Sequence, residues 1–586
     1  MERVSLKIVG ASGQGLNSIG DVLAKGLKRA GYCVYGYREF PSLIKGGHAS
    51  FQLDFSNEKI ESTETKVHVL ICLNHHGLEL NLRDLKDGGI LIHDTVIWKF
   101  SKEEQAHLDA RKIKVIYIPL EDILMRLKAK PILGNVLLSA FVWAMMGLEK
   151  EALKELVGEK FAKKKALLDL NMQCIDEGFA FTDEKVSKVT VQLPPPESRW
   201  KDHLLCTGSQ AMGLGAVHAG VRFYAGYPMT PSSPLLSYVA DIQNQTGMII
   251  KQAEDEITAA QMVSGAMHMG TRALTGTSGG GFDLMSESLS LNGIIENPAV
   301  FVLAQRPGPA TGLPTWTAQG DLLMAVNTSH GEFARCVLSV SESQDAFDLM
   351  HRAFNIAEEF QCVVIVLTDK QIAEGFYTQA PYDLTQAEIR RGKLVTDPKK
   401  LKALKAADRY DPHAPDGVSW RWLPGSEAAT YCAQADEHSA DGTVEESSEN
   451  TKLQFEKRMK KLDALKKTLP EPTLFGSRDP EILLVGWGST KSVVLDALKE
   501  LNDDRVGYLH FTYLWPLRTE KFEQLAAKAK KVVLIEQNYQ GQLGVLLRQE
   551  CGIKIQDRIL KYDGRPFFVD ELRSLIESHL SRVNRG

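Results

Sequence analysis

The sequence has few cysteines, and they are not arranged for a metal cluster. Its 586 residues include eight cysteines, at positions 33, 72, 174, 206, 336, 362, 432 and 551. No two of them have the C-x-x-C spacing that zinc and iron–sulfur sites use. Several lie within apolar runs, as Cys72 and Cys362 do, which is typical of buried thiols. If the protein carries out redox chemistry, we therefore expect the iron–sulfur cluster to belong to another chain.

Long apolar runs and a strong excess of one charge are also missing. No run reaches the roughly 20 apolar residues that cross a membrane, and the first residues, MERVS, lack an apolar secretory core. Lys and Arg number 69 against 74 Asp and Glu, and this net charge of −5 argues against nucleic acid as the main partner. Hydrophobic residues make up 44% of the chain, enough for several cores. These features predict a large cytoplasmic enzyme chain.

Four short polar stretches, each next to an apolar run, stand out in the middle of the chain. They are residues 227–234 (YPMTPSSP), 254–260 (EDEITAA), 275–282 (TGTSGGGF) and 305–315 (QRPGPATGLPT). The surrounding segments alternate between strand-like and helix-like patterns, which predicts a parallel sheet. Because ligands bind at the carboxyl ends of the strands in such folds, we expect the four stretches to share one sheet edge.

Glu256 is the strongest candidate for a catalytic residue in these stretches. It begins a helix-like run in which Ala259, Ala260, Val263 and Met267 fall on one face. At such a position, burial and the helix dipole shift the pKa of a carboxyl in opposite directions. The alternative is an acid that only stabilises the start of its helix.

The ordered succession YPMTPSSP, ExxAA, TGTSGGGF and QRPGPATGLPT resembles the pyrimidine-binding domain of the 2-oxoacid:ferredoxin oxidoreductases. These are thiamine-diphosphate enzymes that cleave 2-oxoacids and form acyl-CoA, and the likeness extends over nearly the whole chain. The resemblance implies that Glu256 contacts N1′ of the aminopyrimidine, where a protonated acid favours the tautomer that removes the C2 proton. It also implies that Tyr227, Pro228, Met229 and Ser278 contact the cofactor.

The same resemblance assigns substrate-binding roles to Thr230, Arg306 and Thr315. A guanidinium binds a carboxylate through two hydrogen bonds, and the threonine hydroxyls suit the keto oxygen or the same carboxylate. The alternative for Arg306 is an ordinary surface charge. Three prolines and two glycines within the next eight residues favour a shaped loop instead.

The N-terminal part begins with a strand-like run at residues 4–9, a glycine-rich turn at 10–15 and a helical run. Such a turn exposes backbone amides to an anion, but it departs from GxGxxG, so a nicotinamide site and a purely structural turn remain alternatives. The turn and the loop at 38–50 resemble the γ domain of the same family, which is linked to coenzyme A. Lys45 and His48 in this loop are candidates to bind a substrate carboxylate or a CoA phosphate; otherwise the loop is solvated.

Composition changes along the chain predict its domain organisation. Three prolines at 194–196 would end a first α/β domain, since they continue neither a helix nor an interior strand. Residues after 384 lack apolar periodicity and predict a surface connector followed by a charged helix. The last segment repeats the strand, helix, strand order and resembles the transketolase C-terminal fold. We therefore expect a multidomain α/β protein with a γ domain, a pyrimidine-binding domain, a connector and a transketolase-C-like domain at 1–195, 196–384, 385–470 and 471–586.

One motif of the thiamine-diphosphate enzymes is absent. These enzymes hold Mg²⁺ on a GDG…N type loop, but the chain contains no GDG, and Gly320-Asp321-Leu322 does not fit. The chain is thus expected to supply only the pyrimidine-binding half of the thiamine-diphosphate site and no metal site of its own. The resemblance implies a β subunit that supplies the diphosphate and Mg²⁺ site and a [4Fe–4S] cluster, ferredoxin as electron acceptor, and an (αβ)₂ assembly.

The sequence therefore predicts the α subunit of this family, with the γ domain fused in front and 2-oxoglutarate as substrate. The expected reaction converts 2-oxoglutarate and CoA to succinyl-CoA, CO₂ and reduced ferredoxin. The fused layout and Met229, where relatives have isoleucine, support this substrate; pyruvate and branched-chain 2-oxoacids are alternatives. A non-oxidative thiamine enzyme and a non-catalytic regulatory chain of the same fold are alternatives from other classes.

Overall fold

The structure is a computed structural model that describes residues 2–43, 46–95, 98–161, 165–186, 191–385 and 388–583. Its strands form three sheets, of eight, seven and five strands, with helices packed against their faces. The alternating strand and helix pattern predicts this layered α/β architecture.

The strands follow one another along the chain in three groups. The first group is β1 (Arg3–Ser12), β2 (Cys33–Glu39), β3 (Gly46–Ser56), β4 (Val67–Cys72), β5 (Leu85–His93) and β6 (Lys114–Tyr117). The second is β7 (Leu204–Thr207), β8 (Phe223–Gly226), β9 (Ile249–Gln252), β10 (Ala273–Thr277), β11 (Ala299–Gln305), β12 (Arg335–Ser339), β13 (Val363–Asp369) and β14 (Phe376–Gln379). The third is β15 (Thr473–Gly476), β16 (Ile482–Trp487), β17 (Val506–Phe511), β18 (Tyr513–Trp515), β19 (Lys531–Glu536) and β20 (Asp557–Leu560).

Within the described residues, the α-helices lie between the strands and along the connector, and they fall into three groups. Seven precede β7: α1 (Leu16–Ala30), α2 (His75–Asn81), α3 (Lys102–Ala110), α4 (Leu120–Arg126), α5 (Gly134–Met145), α6 (Lys150–Phe161) and α7 (Lys165–Phe181). Nine lie among β7–β14: α8 (Gly208–His218), α9 (Ser233–Asp241), α10 (Gln243–Thr246), α11 (Glu256–His268), α12 (Gly279–Leu284), α13 (Ser286–Ile294), α14 (Leu322–Asn327), α15 (Ser343–Phe360) and α16 (Lys370–Glu374). Six follow: α17 (Pro398–Ala403), α18 (Ser448–Thr468), α19 (Thr490–Leu501), α20 (Glu520–Ala526), α21 (Gln542–Cys551) and α22 (Val569–Val583). None of the helices in the described residues combines the length and the apolarity needed to cross a bilayer.

The N-terminal sheet has the order β6-β5-β4-β1-β3-β2-β14-β7. Its last two strands come from the segment expected to form the second domain, and β14 pairs antiparallel with both β2 and β7. The first two expected domains therefore share a continuous sheet. The domain limits at 195 and 384 stay predictions.

The central sheet has the order β18-β12-β13-β11-β10-β8-β9, and every strand in it except β18 runs parallel to its neighbours. Strands β11 and β13 are buried along their whole length. Their nearly continuous apolar sequences fit a parallel sheet covered by helices on both faces. Strand β18 extends this sheet with a segment from the C-terminal part of the chain.

The C-terminal sheet, in the order β15-β17-β16-β19-β20, also contacts the N-terminal part of the chain. Arg3 forms a buried ion pair with Asp496 at 3.0 Å, and the Thr65 backbone N–H donates to Asp570 Oδ1 at 2.9 Å. All three sheets are therefore joined through direct contacts.

The connector folds along the central sheet unit and ends in α18, which confirms the predicted charged helix. Three cationic residues of this helix, Lys457, Arg458 and Lys461, are buried. Lys457 and Lys461 both form ion pairs with Glu296, which follows α13. Buried charges thus hold the connector against the central unit.

Candidate active site

The four polar stretches follow the carboxyl ends of four adjacent strands in the central sheet. Residues 227–234 follow β8, Glu256 lies four residues after β9, Ser278 follows β10, and Arg306 follows β11. These strands are neighbours in the order β9-β8-β10-β11 and run parallel. Their carboxyl ends therefore meet at one edge, which confirms the predicted shared edge.

Glu256 is the first residue of α11, and its side chain points into the protein. The Asp255 carboxylate caps the helix by accepting a hydrogen bond from the Thr258 N–H at 2.7 Å. Glu256 is only 3% exposed, and its Oε1 is buried without a hydrogen-bond partner in the described part of the chain. Burial raises the pKa of the Glu256 carboxyl. The site therefore contains an acid with one oxygen free for a ligand.

The glycine-rich stretch after β10 packs closely over Glu256. A Cβ atom at Gly281 would lie 2.6 Å from Glu256 Oε1 and would also overlap Thr277 Oγ1. Thr277 Oγ1 lies 4.0 Å from Met229 Sδ, and Ser278 is completely buried. Glycine at position 281 therefore allows this stretch to approach the acid, and the structure brings Met229, Ser278 and Glu256 to one place.

Substitution of Gly281 tests this close approach. We expect Gly281→Ala to destabilise the protein by about 1–3 kcal/mol, the usual cost of overpacking, because the added Cβ would overlap Thr277 Oγ1 and lie 2.6 Å from Glu256 Oε1. Thermal unfolding measures the change. Gly280→Ala is the matched control on the same helix, since a Cβ there would meet nothing within 4 Å among the described residues. Equal unfolding temperatures for the two variants would contradict the packing argument.

Arg306 is oriented toward the stretch after β8. Its Nη1 donates a hydrogen bond to the Thr230 carbonyl oxygen at 2.6 Å, and the residue is half-buried. Burial lowers the pKa of Arg306, and the negative charge of Asp321 opposes that shift. The guanidinium remains the cation of the site, in a position suited to an anionic ligand.

Thr315 is turned toward the N-terminal part of the chain. Its hydroxyl donates to the Phe40 carbonyl oxygen at 2.6 Å, and the residue is 5% exposed. A hydroxyl has a single hydrogen to donate, whereas a keto oxygen and a carboxylate are both acceptors. To bind a 2-oxoacid as a donor, Thr315 would have to release Phe40.

A cleft of about 640 Å³ separates the N-terminal sheet from the central sheet unit. Its lining includes Gly13, Gly15, Arg38, Phe40 and Thr230, so it brings the first glycine turn next to one of the predicted substrate residues. The N–H groups of such a turn, at the start of α1, form an anion-binding arrangement.

His48 does not line this cleft in the described structure, and it lies in β3, not in the loop predicted for residues 38–50. His48 is half-buried, and its Nε2 lies 3.2 Å from Asn81 Nδ2. Burial and the nearby Lys7 lower the pKa of His48. Lys45 lies outside the described residues. A role for either residue in binding an anion stays a prediction.

Apolar side chains are exposed around the mouth of the candidate site. Tyr227 is 39% exposed, Ile257 is 48% exposed and Leu284 is 50% exposed. Pro228, next to Tyr227, is also exposed. These four residues, called the apolar rim below, project from the loops and helices that carry the predicted cofactor contacts.

Sequence reasoning missed Asp321 as a residue of this site. In the sequence it belongs to Gly320-Asp321-Leu322, which does not fit a magnesium motif, yet its Oδ2 is buried without a partner among the described residues. A Cβ atom at Gly279 would lie 3.0 Å from this oxygen. Burial, with the charge of Asp283, raises the pKa of Asp321 to about 7. No local pattern marks the residue, because its surroundings come from distant segments.

The buried polar atoms near the glycine-rich stretch that have no hydrogen-bond partner in the described structure include Glu256 Oε1, Ser278 Oγ and Asp321 Oδ2. Buried polar atoms are normally paired, so this cluster suits a ligand with polar edges and an apolar face. The aminopyrimidine of thiamine diphosphate is such a ligand, and the donor and acceptor set fits it. Within the described residues, no three His, Cys, Asp or Glu side chains are grouped as metal ligands would be.

Comparison with known proteins agrees with this assignment. Residues 214–448 match the family described as pyruvate flavodoxin/ferredoxin oxidoreductase, thiamine diphosphate-binding. Residues 5–181 match the family described as pyruvate ferredoxin/flavodoxin oxidoreductase. Fold and site together define a subunit of a thiamine-diphosphate-dependent oxidoreductase.

Full-length relatives identify the family. The α subunit of 2-oxoacid:ferredoxin oxidoreductase 2 from Aeropyrum pernix is 30% identical, over 98% of both chains. The 2-oxoglutarate oxidoreductase subunit KorA from Mycobacterium tuberculosis is 27% identical, over 99% of this chain and 92% of its own. The chain belongs to the family of 2-oxoacid:ferredoxin oxidoreductase α subunits, which confirms the resemblance of the four motifs.

A solved structure matches the chain over nearly its whole length. The 2-oxoglutarate:ferredoxin oxidoreductase from Magnetococcus marinus, with 2-oxoglutarate, coenzyme A and succinyl-CoA bound, has a TM-score of 0.90 and 29% sequence identity. The match covers 99% of both chains. The predicted α/β multidomain fold is therefore confirmed.

Proposed function

We propose that the chain is the α subunit, with a fused γ domain, of a 2-oxoglutarate:ferredoxin oxidoreductase. The reaction is the oxidative decarboxylation of 2-oxoglutarate with CoA to succinyl-CoA, CO₂ and reduced ferredoxin. The observation that carries the proposal is the buried Glu256 carboxyl, whose Oε1 has no partner among the described residues, at an edge shared with Arg306. The full-length likeness to the Magnetococcus marinus enzyme, whose structure contains 2-oxoglutarate and succinyl-CoA, supports the choice of substrate.

Glu256 is the proton-holding residue of the proposed mechanism. Thiamine diphosphate, when bound, supplies the carbon nucleophile that attacks the keto carbon of the substrate. Burial raises the pKa of Glu256, so the carboxyl more readily keeps a proton on Oε1, the atom open to the cofactor ring. Tyr227, Pro228, Met229 and Ser278 would complete the wall around this ring.

Arg306 is the proposed anchor for the carboxylate next to the keto group. Its hydrogen bond to the Thr230 carbonyl fixes the direction of the guanidinium and leaves other N–H groups for a bidentate contact. Thr230 lies at the entrance of the cleft and is placed to contact the same substrate. Thr315 would join them when it releases the Phe40 carbonyl oxygen.

The cleft between the N-terminal sheet and the central unit is the proposed entrance for CoA. It extends from the Gly13–Gly15 turn to Thr230, so a phosphate near the turn and a thiol near the substrate fit opposite ends. Lys45 and His48 remain proposed contacts to a phosphate or a carboxylate.

The proposed partner is a β subunit that carries the diphosphate and Mg²⁺ site and a [4Fe–4S] cluster, with ferredoxin as the acceptor. The name of the full-length relatives, subunit alpha, supports further subunits. The apolar rim supports docking of that subunit over the cofactor, because exposed apolar patches mark interaction sites. An (αβ)₂ assembly in the cytoplasm completes the proposal.

Turnover by the copurified complex tests the proposal. The complex is supplied with CoA and a low-potential dye, and 2-oxoglutarate, pyruvate and a branched-chain 2-oxoacid are compared as substrates. We expect CoA-dependent dye reduction with the highest kcat/KM for 2-oxoglutarate. A higher kcat/KM for another 2-oxoacid would overturn the substrate assignment. Cleavage of the 2-oxoacid without CoA or an electron acceptor would indicate a non-oxidative thiamine enzyme.

A further inference from the structure

Asp321 is held in the candidate site by the first residue of α21, in the C-terminal part of the chain. Gln542, 222 residues after Gly320, donates from Nε2 to the Gly320 carbonyl oxygen at 2.7 Å, and its Oε1 accepts from the Leu323 N–H at 3.0 Å. The Asp321 N–H donates to Gln305 Oε1 at 3.0 Å, and Gln305 immediately precedes Arg306. The backbone on both sides of Asp321 is thus fixed next to the proposed substrate anchor.

The Asp321 carboxylate lies between Arg306 and the glycine-rich stretch that covers Glu256. Its Oδ2 packs against Gly279 and has no hydrogen-bond partner in the described residues. Burial and the negative charge of Asp283 raise its pKa to about 7, while Arg306 opposes the shift. The charged groups on the elements packed around it are Asp283 on α12, Arg306 after β11, Glu256 on α11 and Glu536 on β19.

We propose that Asp321 is the counter-ion of Arg306 in the free enzyme and takes up one proton when the carboxylate of a 2-oxoacid binds to Arg306. The inference rests on the proposed function. The proton comes from solvent and goes to an Asp321 carboxylate oxygen, and no other bond changes. Asp321 is a positioning residue here, since it acts on the substrate through the charge of Arg306.

Asp321 takes up a proton because of the charge balance in a partly buried site. In the free enzyme the cation Arg306 and the carboxylate Asp321 attract each other electrostatically, without a direct ion pair in the described structure. A bound substrate carboxylate adds a second anion near the same cation, and like charges at short distance raise the pKa of the weaker acid. The 2-oxoacid therefore binds most tightly below a pH of about 7, where Asp321 is already protonated. Above that pH its affinity falls by up to about tenfold per pH unit.

The first test is the pH dependence of kcat/KM for 2-oxoglutarate in the assembled enzyme. We expect the wild-type value to fall as pH rises through about 7, and Asp321→Asn to keep its low-pH value across the same range. Asparagine has the same shape, and the Asp321 side chain makes no hydrogen bond that the described residues would lose. Asp283→Asn is the matched control: it removes an exposed carboxylate close to Asp321, so the fall should persist and move to lower pH.

The second test needs no variant and measures the proton directly. Glutarate, which has carboxylates but no keto carbon to react, is titrated into the wild-type complex by calorimetry in two buffers of different ionisation enthalpy. We expect uptake of about one proton per site above neutral pH, and none in Asp321→Asn. Equal uptake in both proteins, or equal pH profiles, would overturn the inference and leave the proposed function standing. A complex that does not oxidise 2-oxoglutarate would overturn the proposed substrate instead.

Discussion

A Glu256→Gln variant of the assembled enzyme loses about 10²–10⁴-fold in turnover, the range that a positioned acid or base contributes. Glutamine keeps the shape of the side chain, so it fits the same buried position at the start of α11. It has no titratable proton, and the chemistry proposed for this position needs an acid whose pKa burial has raised. The initial rate of dye reduction with saturating 2-oxoglutarate and CoA measures the loss.

Glu254→Gln is the matched control for this substitution. Glu254 carries the same side chain two residues earlier, but it is exposed and precedes the helix. We expect its turnover to stay close to that of the wild type. Normal turnover in Glu256→Gln, or the same loss in both variants, would reject the role of Glu256.

Stability should separate a catalytic role of Glu256 from a structural one. A carboxyl whose pKa is higher in the folded than in the unfolded protein opposes folding once pH exceeds its unfolded value, where the folded state must bury a charge. Glu256→Gln removes that cost. The variant should therefore unfold at the same or a higher temperature than the wild type at pH above neutral. A lower unfolding temperature together with lost turnover would favour the helix-stabilising alternative.

The position of the four motif loops could be predicted from sequence because the rule behind it is local. Each loop follows an apolar run, and parallel strands place their carboxyl ends at one edge. The face of α11 that contains Ala259, Ala260, Val263 and Met267 was predictable for the same reason, since its spacing repeats every three or four residues. All four residues are buried, together with Glu256.

Asp321 could not be predicted, because its properties depend on distant segments. Its backbone is fixed by Gln542, the first residue of α21, and the glycine that packs against its carboxylate lies before it, at position 279. A single aspartate in a loop belongs to no periodic pattern that would indicate its burial. The strands β7 and β14 show the same limitation, since both join a sheet whose other members lie far away in sequence.

The buried cations of the connector show that residues in a charged sequence pattern can nevertheless be buried in the core. Sequence alone predicts a charged helix for α18, and the helix is present. Lys457 and Lys461 are nevertheless almost fully buried, because the compensating charge comes from Glu296, more than a hundred residues earlier. Local sequence periodicity does not reveal an ion-pair partner that is distant in sequence.

Glu296 is the anion on which this anchor depends. Its side chain is fully buried between Lys457 and Lys461, and the two lysines hold the pKa of its carboxyl well below the usual range. Arg409 adds hydrogen bonds from the connector to the Ile295 and Glu296 carbonyl oxygens, at 3.0 and 3.2 Å. Two separate segments of the connector, at Arg409 and in α18, are therefore attached around Glu296.

Glu296→Gln should destabilise this attachment by about 3–5 kcal/mol, the typical cost of removing one partner of a buried ion pair. The amide keeps the volume of the side chain but leaves two buried ammonium groups without a counter-ion. Urea unfolding of the full chain measures the loss, and faster proteolysis of residues 388–470 would show that it begins in the connector.

Two comparisons make the outcome for Glu296 specific. Glu427→Gln breaks the exposed Lys402–Glu427 pair in the same connector, and because solvent screens such pairs we expect no measurable change. Replacing Glu296, Lys457 and Lys461 together by leucine and methionine removes the charges along with their desolvation cost, so this triple variant should be more stable than Glu296→Gln. A triple variant as unstable as the single one would show that shape, and not unpaired charge, determines how the connector is held.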